Sequence, residues 1–230
     1  MKEKLKTILF KLGLDNVIRY IYRLFFWRKR LFIKYPPYGK KKHNYVISRL
    51  DPIRYEAIAL ALHRIEKEKI FGSIAELGVY RGETSKFLKR LCSNKKIILF
   101  DTFEGFPEKD LEVDKDYRFN NTSLEYVKNN ISDIRNIEFR VGYFPESAKG
   151  LEHEKFCFVL IDMDLYKPTL EGLKFFYPKV SRGGYLFIHD YNSPESNYAV
   201  SKAVNKFMQD KPELIVEIPD VWGTIMFRKI

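Results

Sequence analysis

Residues Phe156 to Asp190 read FCFVLIDMDLYKPTLEGLKFFYPKVSRGGYLFIHD. The first six, Phe156 to Ile161, form an apolar run of strand length without polar alternation. Thr169 to Tyr177 has helical spacing and is closed by Gly183-Gly184, and Tyr185 to Ile188 is apolar again. A strand, a helix and a strand in so short a space make one crossover unit, whose two strands lie parallel. Parallel strands are covered on both faces, which is why neither run alternates. Both strands then run into charge: Asp162 and Asp164 after the first, His189 and Asp190 after the second. A buried segment carries carboxylates only where something pairs with them. Continued strand alternation would point Asp162 and Asp164 to the same side.

The pattern repeats on either side of this unit. Pro52 to Glu68 is an amphipathic helix with Ile53, Ala57, Leu60, Ala61 and Ile65 on one face. Ser73 to Leu77 is a strand, Thr84 to Leu91 a helix, and Lys96 to Phe100 a strand ending at Asp101. A long loop runs through Asp116, followed by a helix from Ser123 to Ile131 and a strand from Ile137 to Val141 ending at Gly142. Ala199 to Met208 is helical. Leu214 to Ile218 and Thr224 to Phe227 form an antiparallel pair at the sheet edge, turning through Pro219 to Gly223. Strands alternating with helices predict an α/β domain with a mainly parallel sheet, and such sheets bind ligands beyond the carboxyl ends of their strands. Glu76, Asp101, Gly142, Asp162, Asp164, His189 and Asp190 all fall at that edge.

The chain has 230 residues, with 45% hydrophobic and 16% aromatic residues, enough for one such domain and an appendage. Its net charge of +11 sits in residues 1–43, where 13 Lys and Arg face only Glu3 and Asp15. The remaining 44–230, read as the domain that follows, has 28 side chains of each sign, which disfavours nucleic acid as a partner. The arm has no apolar run long enough for a membrane span and no signal-peptide core with a cleavage site. Leu5, Ile8, Leu9 and Leu12, then Val17, Ile18, Ile21, Leu24 and Phe25, predict two short helices, with Asp15 as a cap between them. Two readings fit. The arm lies on an anionic membrane through Arg19, Arg23, Arg28, Lys29 and Arg30 with Phe25, Phe26 and Trp27 as anchors, or it packs on the domain or on a second copy in a homo-oligomer. Tyr35 to Gly39 and Lys40 to Lys42 read as a linker. Cys92 and Cys157 are too few for a disulfide framework and indicate reduced thiols in a cytoplasmic protein, peripheral at the inner membrane face if the first reading of the arm holds.

The turn Glu76-Leu77-Gly78-Val79-Tyr80-Arg81-Gly82 joins the first domain strand to its helix. Its glycines let a ligand approach the backbone, but its spacing matches neither a dinucleotide fingerprint nor a phosphate-binding P-loop. Asp101 is placed for ribose hydroxyls, and Glu76 in the first turn favours a cationic group over a pyrophosphate. S-adenosylmethionine has that charge pattern. Ser-His-Asp and Cys-His sets are absent from the strand ends, which disfavours hydrolase chemistry.

The blocks AELGVYRGETS, FDTFEGFPEKD, NNTSLEYVKNNI, RVGYFPESA and IDMDLYKPTLEGLKFFYPKVSRGGYLFIHDY occur in this order. Together they resemble the macrocin O-methyltransferase (TylF) family of S-adenosylmethionine-dependent sugar O-methyltransferases, from about Tyr45 onward. The resemblance implies a Rossmann-like class I methyltransferase with a seven-stranded sheet ending in an antiparallel edge. It places Glu76, Gly78 and Gly82 at the methionine end of the cofactor and Asp101 on the ribose. Gly142, Tyr143 and Phe144 would lie near the adenine, and Phe103 to Pro107 with the loop to about Asn121 would form a cover. Tyr80, Thr84, Thr102 and Asp162 complete the expected cofactor contacts. In the family, a divalent ion is held by the first aspartate of the DXD block and by a pair after the fifth strand. That implies Asp162 and Asp190 as ligands and Asp164 as the general base. His189 departs from the pattern, which often has aspartate there. It is then a ligand for a softer metal, an orienting group beside magnesium, or a base or positive partner with no metal present. The leading expectation is methyl transfer to a hydroxyl of a sugar-containing acceptor. An RNA or other macromolecule methyltransferase and a non-catalytic nucleotide-binding protein are the alternatives.

Overall fold

The computed structural model describes residues 32–34, 44–46, 51–111, 116 and 118–230. The chain divides into two compact units, Met1–Pro52 and Ile53–Ile230. In the first, β1 (Phe32–Lys34) pairs antiparallel with β2 (Asn44–Val46), Ile33 opposite Tyr45. Strands of three residues are too short to show a period, and the sequence reading missed them. The expected arm helices, their basic and aromatic anchors, and the Tyr35–Lys42 linker lie outside the described residues.

The second unit contains, in chain order, α1 (Pro52–Lys67), β3 (Ser73–Leu77), α2 (Glu83–Leu91), β4 (Ile97–Asp101), α3 (Leu124–Ile131), β5 (Ile137–Val141), β6 (Phe156–Ile161), α4 (Tyr166–Phe176), β7 (Val180–Ile188), α5 (Ala199–Met208), β8 (Val216–Ile218) and β9 (Thr224–Arg228). The sheet has seven strands in the order β5-β4-β3-β6-β7-β9-β8. Strands β3 to β7 pair in parallel, whereas β9 runs antiparallel to both β7 and β8. The expected antiparallel edge is therefore present. Every residue of β3 and β6 is buried, the state that their unbroken apolar runs require.

Aromatic side chains fill the space between β4, β6 and α4. Phe176 lies 5.7 Å from Phe100 and 5.1 Å from Phe156, both edge-on, and stacks on Phe144 at 5.8 Å. Gly172 lets α4 lie close to the sheet, because a Cβ there would sit 2.8 Å from Leu77 Cδ2 and 3.3 Å from Ile161 Cδ1.

Three local expectations change. The buried stripe of α1 is Tyr55, Ile58, Ala59, Ala61, Leu62 and Ile65, while Ile53 and Leu60 are exposed. Polar residues fall on more than one side of this helix, Arg54 among them, so its period leaves the inward face open, and the edge-on contact of Tyr55 with Phe87 at 4.8 Å marks the choice. Helix α4 starts at Tyr166, with Pro168 in its first turn, where no intrahelical N–H is lost. Gly183 and Gly184 do not close that helix; they lie inside β7, opposite a register shift in β6, and a Cβ on Gly184 would meet the Cys157 carbonyl oxygen at 2.8 Å.

The tight seat of Gly172 has a measurable consequence. Gly172→Val is expected to lower unfolding free energy by about 1–3 kcal/mol through overpacking against Leu77 and Ile161. Leu214→Ala, at a side chain 88% exposed, should change it by no more than about 0.5 kcal/mol. Urea denaturation of both variants checks the contrast.

Candidate active site

Strand β3 lies between β4 and β6, so the crossovers leaving it and β6 run to opposite sides. The crevice beyond its carboxyl end is the place where open α/β sheets bind ligands. Gly78 has φ 90°, and a Cβ there would lie 1.9 Å from the Asp162 carbonyl oxygen, so glycine alone fits. Asp162 N in turn donates to the Leu77 carbonyl at 2.8 Å. The end of β3 and the end of β6 are thus fastened to each other.

Asp101 holds the turn that follows. Its Oδ2 accepts from Val79 N at 2.6 Å and Tyr80 N at 2.8 Å, and its Oδ1 accepts from Phe103 N at 2.7 Å. Tyr80 reaches the covering loop, donating its hydroxyl to Asn121 Oδ1 at 2.7 Å and meeting Phe119 edge-on at 5.0 Å. Thr122 Oγ1 donates back to the Tyr80 carbonyl at 2.6 Å. Gly142 N donates to the Asp101 carbonyl at 3.0 Å, and the space beside Gly142 is open, since a Cβ there would meet nothing within 4 Å. Gly78, Tyr80, Asp101 and Gly142 therefore lie together at this strand edge, whereas Gly82 is seated against α3, where a Cβ would lie 2.9 Å from Val127 Cγ1. Thr84 and Thr102 use their hydroxyls internally: Thr84 shares a buried bond with Tyr55 Oη at 3.0 Å, and Thr102 donates to the Gly105 carbonyl at 3.1 Å. Tyr143 turns to Asp110, 2.8 Å away and also bound by Lys167 Nζ at 3.0 Å, while Phe144 belongs to the core.

Glu76 is buried and accepts from Ser85 Oγ at 2.5 Å. Burial pushes its pKa up to about 8, the Ser85 bond opposing. Asp162 lies between two cations. Arg54 Nη1 is 2.9 Å from its Oδ2, and His189 Nδ1 is 3.2 Å from its Oδ1. Burial works against ionisation of Asp162, but the charges of His189 and Arg54 outweigh it and hold the group well below the usual carboxylate range. His189 Nε2 lies 3.0 Å from the Val221 carbonyl. A carbonyl only accepts, so Nε2 carries a proton and Nδ1 faces the carboxylates, with Asp190 Oδ2 at 3.1 Å. Asp190 and Asp164 are both pushed up, first by burial and then by neighbouring carboxylates, Asp162 for the one and Asp190 with Asp162 for the other. Arg118 Nη1, 3.8 Å from Asp164, opposes this and also pairs with Glu195 at 2.6 Å.

Strand alternation does not bring Asp162 and Asp164 together. Strand β6 ends at Ile161, and Asp164 has φ 58°. Asp190 has φ 60°. Two non-glycine residues in this strained region, both acidic and both at one strand edge, fit a site that stores backbone strain.

Asp162, His189 and Asp190 offer donor atoms all within 4.8 Å of one another. With Nε2 held by the Val221 carbonyl, Nδ1 is the atom that would ligate an ion, giving up its proton to do so. The residues present therefore fit a divalent ion with one nitrogen and two carboxylate donors. Arg54, Ser85 and Arg118 were not anticipated from sequence. Arg54 was hidden by the ambiguous face of α1, while Ser85 and Arg118 carry no sequence signal beyond an ordinary helix and loop. Cys92 and Cys157 are free thiols and both buried.

A family model described as macrocin-O-methyltransferase (TylF) matches residues 46–229. The chain is 26% identical over 163 residues to the 8-demethyl-8-(2,3-dimethoxy-alpha-L-rhamnosyl)-tetracenomycin-C 4'-O-methyltransferase of Streptomyces olivaceus, covering 63% of this chain and 60% of that protein. It is 27% identical over 154 residues to the mycinamicin III 3''-O-methyltransferase of Micromonospora griseorubida, covering 58% and 61%. The matches thus span about 60% of the length of these curated relatives. Among solved structures, the O-methyltransferase NovP aligns with TM-score 0.66 at 22% identity over 77% of this chain and 80% of that one. The calicheamicin methyltransferase CalS11 aligns with TM-score 0.61 at 18% identity over 75% and 79%. The two structures share this fold.

Glu76 gives the site a pH signature. Its folded pKa is raised from 4.5 to about 8, so the stability it contributes is fully present below pH 4.5 and is lost as pH rises through 8. Glu76→Gln stays neutral and keeps an acceptor for Ser85. Its stability relative to wild type is expected to rise between pH 5 and 8 by at most about 1.4 kcal/mol per pH unit and to level off above. Thermal melts of both proteins across that range check it; a constant difference would show that Glu76 is ionised in the folded protein throughout.

Proposed function

The chain belongs to the macrocin O-methyltransferase (TylF) family, and from that premise we propose that it is an S-adenosylmethionine-dependent O-methyltransferase acting on a hydroxyl of a sugar-containing acceptor, a glycan, glycolipid or natural product. One observation carries the proposal. The glycine turn of β3 and the cluster of Asp162, Asp164, His189 and Asp190 meet at the switch point of the sheet, with Gly78 packed on Asp162. A relative named for a rhamnosyl substrate and a solved neighbour named as a TDP-rhamnose 3'-O-methyltransferase support a sugar acceptor.

The roles follow from placement. Glu76 takes the ammonium of the cofactor, whose charge compensates an ionised carboxylate in a buried position. The lone pairs of Asp101 left by its three backbone bonds accept ribose hydroxyls. Asp162, His189 and Asp190 would hold a divalent ion. When bound, that ion supplies positive charge that lowers the pKa of an acceptor hydroxyl. Asp164 in its ionised form, which positive charge beside the neighbouring carboxylates favours, takes the hydroxyl proton as the new C–O bond forms and the S–C bond breaks, leaving S-adenosylhomocysteine. Arg54 holds Asp162 ionised and in register. Imidazole among the donors suits manganese, iron, cobalt, nickel or zinc better than magnesium. The basic arm is proposed to hold the enzyme at an anionic membrane surface, on the cytoplasmic side.

Three measurements test these statements. Asp164→Asn is expected to lower methyl transfer by about 10²–10⁴-fold while leaving S-adenosylmethionine binding, read by calorimetry, unchanged. Near-normal turnover would remove Asp164 as the base. Dialysis against a chelator should abolish activity, with manganese or cobalt restoring more than magnesium and His189→Asp shifting the preference toward magnesium. Full activity after chelation would eliminate the ion. Deleting residues 1–34 should release the protein from anionic liposomes in co-sedimentation, and undiminished binding would refute the membrane arm.

A further inference from the structure

Strand β3 carries one charged residue, Glu76, in the middle of the sheet. Its side chain is 2% exposed and stands in register between Leu99 of β4 and Leu160 of β6, both fully buried. Among the described residues its side-chain hydrogen-bond partner is Ser85, a neutral group, with Oγ 2.5 Å from Oε2. Arg54, the cation that acts on it, is committed to Asp162, with Nη1 2.9 Å from Oδ2. A carboxyl group buried without an ion-pair partner holds its proton.

The groups that face Glu76 come from four elements. Burial is the main reason that its pKa stands at about 8; Ser85 of α2 lowers it, Asp162 at the end of β6 raises it, Arg54 of α1 lowers it and Asp101 at the end of β4 raises it. Tyr55 of α1 shares a hydrogen bond with Thr84 of α2 at 3.0 Å, and burial keeps its hydroxyl neutral. At neutral pH the Glu76 carboxyl group is therefore protonated in most molecules.

Ser85 suits a group that changes its charge. It lies near the start of α2 and is 0% exposed, so it does not reach the crevice and acts only through Glu76. A hydroxyl both accepts and donates. It accepts from the O–H of the neutral acid and, after rotating about its C–O bond, donates to the carboxylate. A backbone N–H could do only the second, and alanine does neither. The bond thus fixes where the carboxyl group points in both states.

We propose that cofactor binding expels one proton from Glu76, and that Ser85 is the positioning residue that holds the carboxyl group in place through that change. The inference rests on the methyltransferase reading, in which Glu76 meets the cofactor ammonium, and adds a pH dependence to it. The step balances. The ammonium enters with its charge, the Glu76 O–H proton leaves to solvent, and a buried carboxylate–ammonium pair remains, with no covalent bond of the cofactor altered. Only the ionised fraction of the free protein is competent, so affinity rises with pH, by about tenfold for each unit well below pH 8.

The test is calorimetry of S-adenosylhomocysteine binding to the full-length chain between pH 6 and 8.5, in pairs of buffers that differ in ionisation enthalpy, which counts the protons released. Wild type is expected to release about one proton at pH 6 and at pH 7, and to bind about 50-fold more tightly at pH 8 than at pH 6. Glu76→Gln should release none and hold a nearly constant affinity from pH 6 to 8. Ser85→Ala removes a bond that favours the carboxylate, so it should bind about tenfold more weakly at pH 7, with a deficit that narrows by pH 8.5. A serine that merely packs would weaken binding by one factor at every pH. The wild-type proton count needs no variant, so it decides even where a substitution unfolds the chain. Binding without proton release, release that persists in Glu76→Gln, or a pH-independent deficit in Ser85→Ala would each overturn the proposal. A wild-type protein that binds no S-adenosylhomocysteine at any of these pH values would instead overturn the methyltransferase reading beneath it.

Discussion

The site depends on the close crossing of two strand ends at Gly78. A methyl group there would lie 1.9 Å from the Asp162 carbonyl oxygen, and the Asp162 amide is bonded to Leu77. The glycine turn after β3 and the strand end that carries the first aspartate are thereby one structural piece. Asp101 extends it by gathering three backbone amides from both sides of the crevice. The sheet supplies the rigid floor, since β3 and β6 are buried along their whole length.

Electrostatics then divides the carboxylates. Asp162 is kept ionised by His189 and Arg54, whereas Asp164 and Asp190 are pushed toward their protonated forms by burial and then by neighbouring carboxylates, Asp190 and Asp162 for the first and Asp162 for the second. Pairs of titratable groups driven apart in this way are the pattern that acid and base roles require. His189 links this cluster to the β8–β9 turn, whose Val221 carbonyl holds its Nε2.

Much of this was legible in the chain. The spans of β3, β5, β6 and α5 follow from apolar runs and helical spacing, and the crowding of acidic residues at strand ends follows from those spans. What escaped did so for physical reasons. Helix α1 carries polar residues on more than one side, so its period did not choose a face, and Arg54 and Tyr55 stayed hidden with it. Gly183 and Gly184 read as a helix stop because a glycine pair marks a turn as readily as a bulge. Asp162 and Asp164 are associated through a left-handed residue and not through pleat alternation, and no residue type announces that conformation in aspartate.

The most direct test of the account is to supply S-adenosylmethionine labelled with ¹³C at its methyl group, together with a neutral glycoside, and to follow the label by NMR. The account predicts that the label appears as an O-methyl ether on a sugar ring in the wild-type protein. Label that stays on the cofactor although the cofactor binds, or that appears on nitrogen or on RNA, would contradict it.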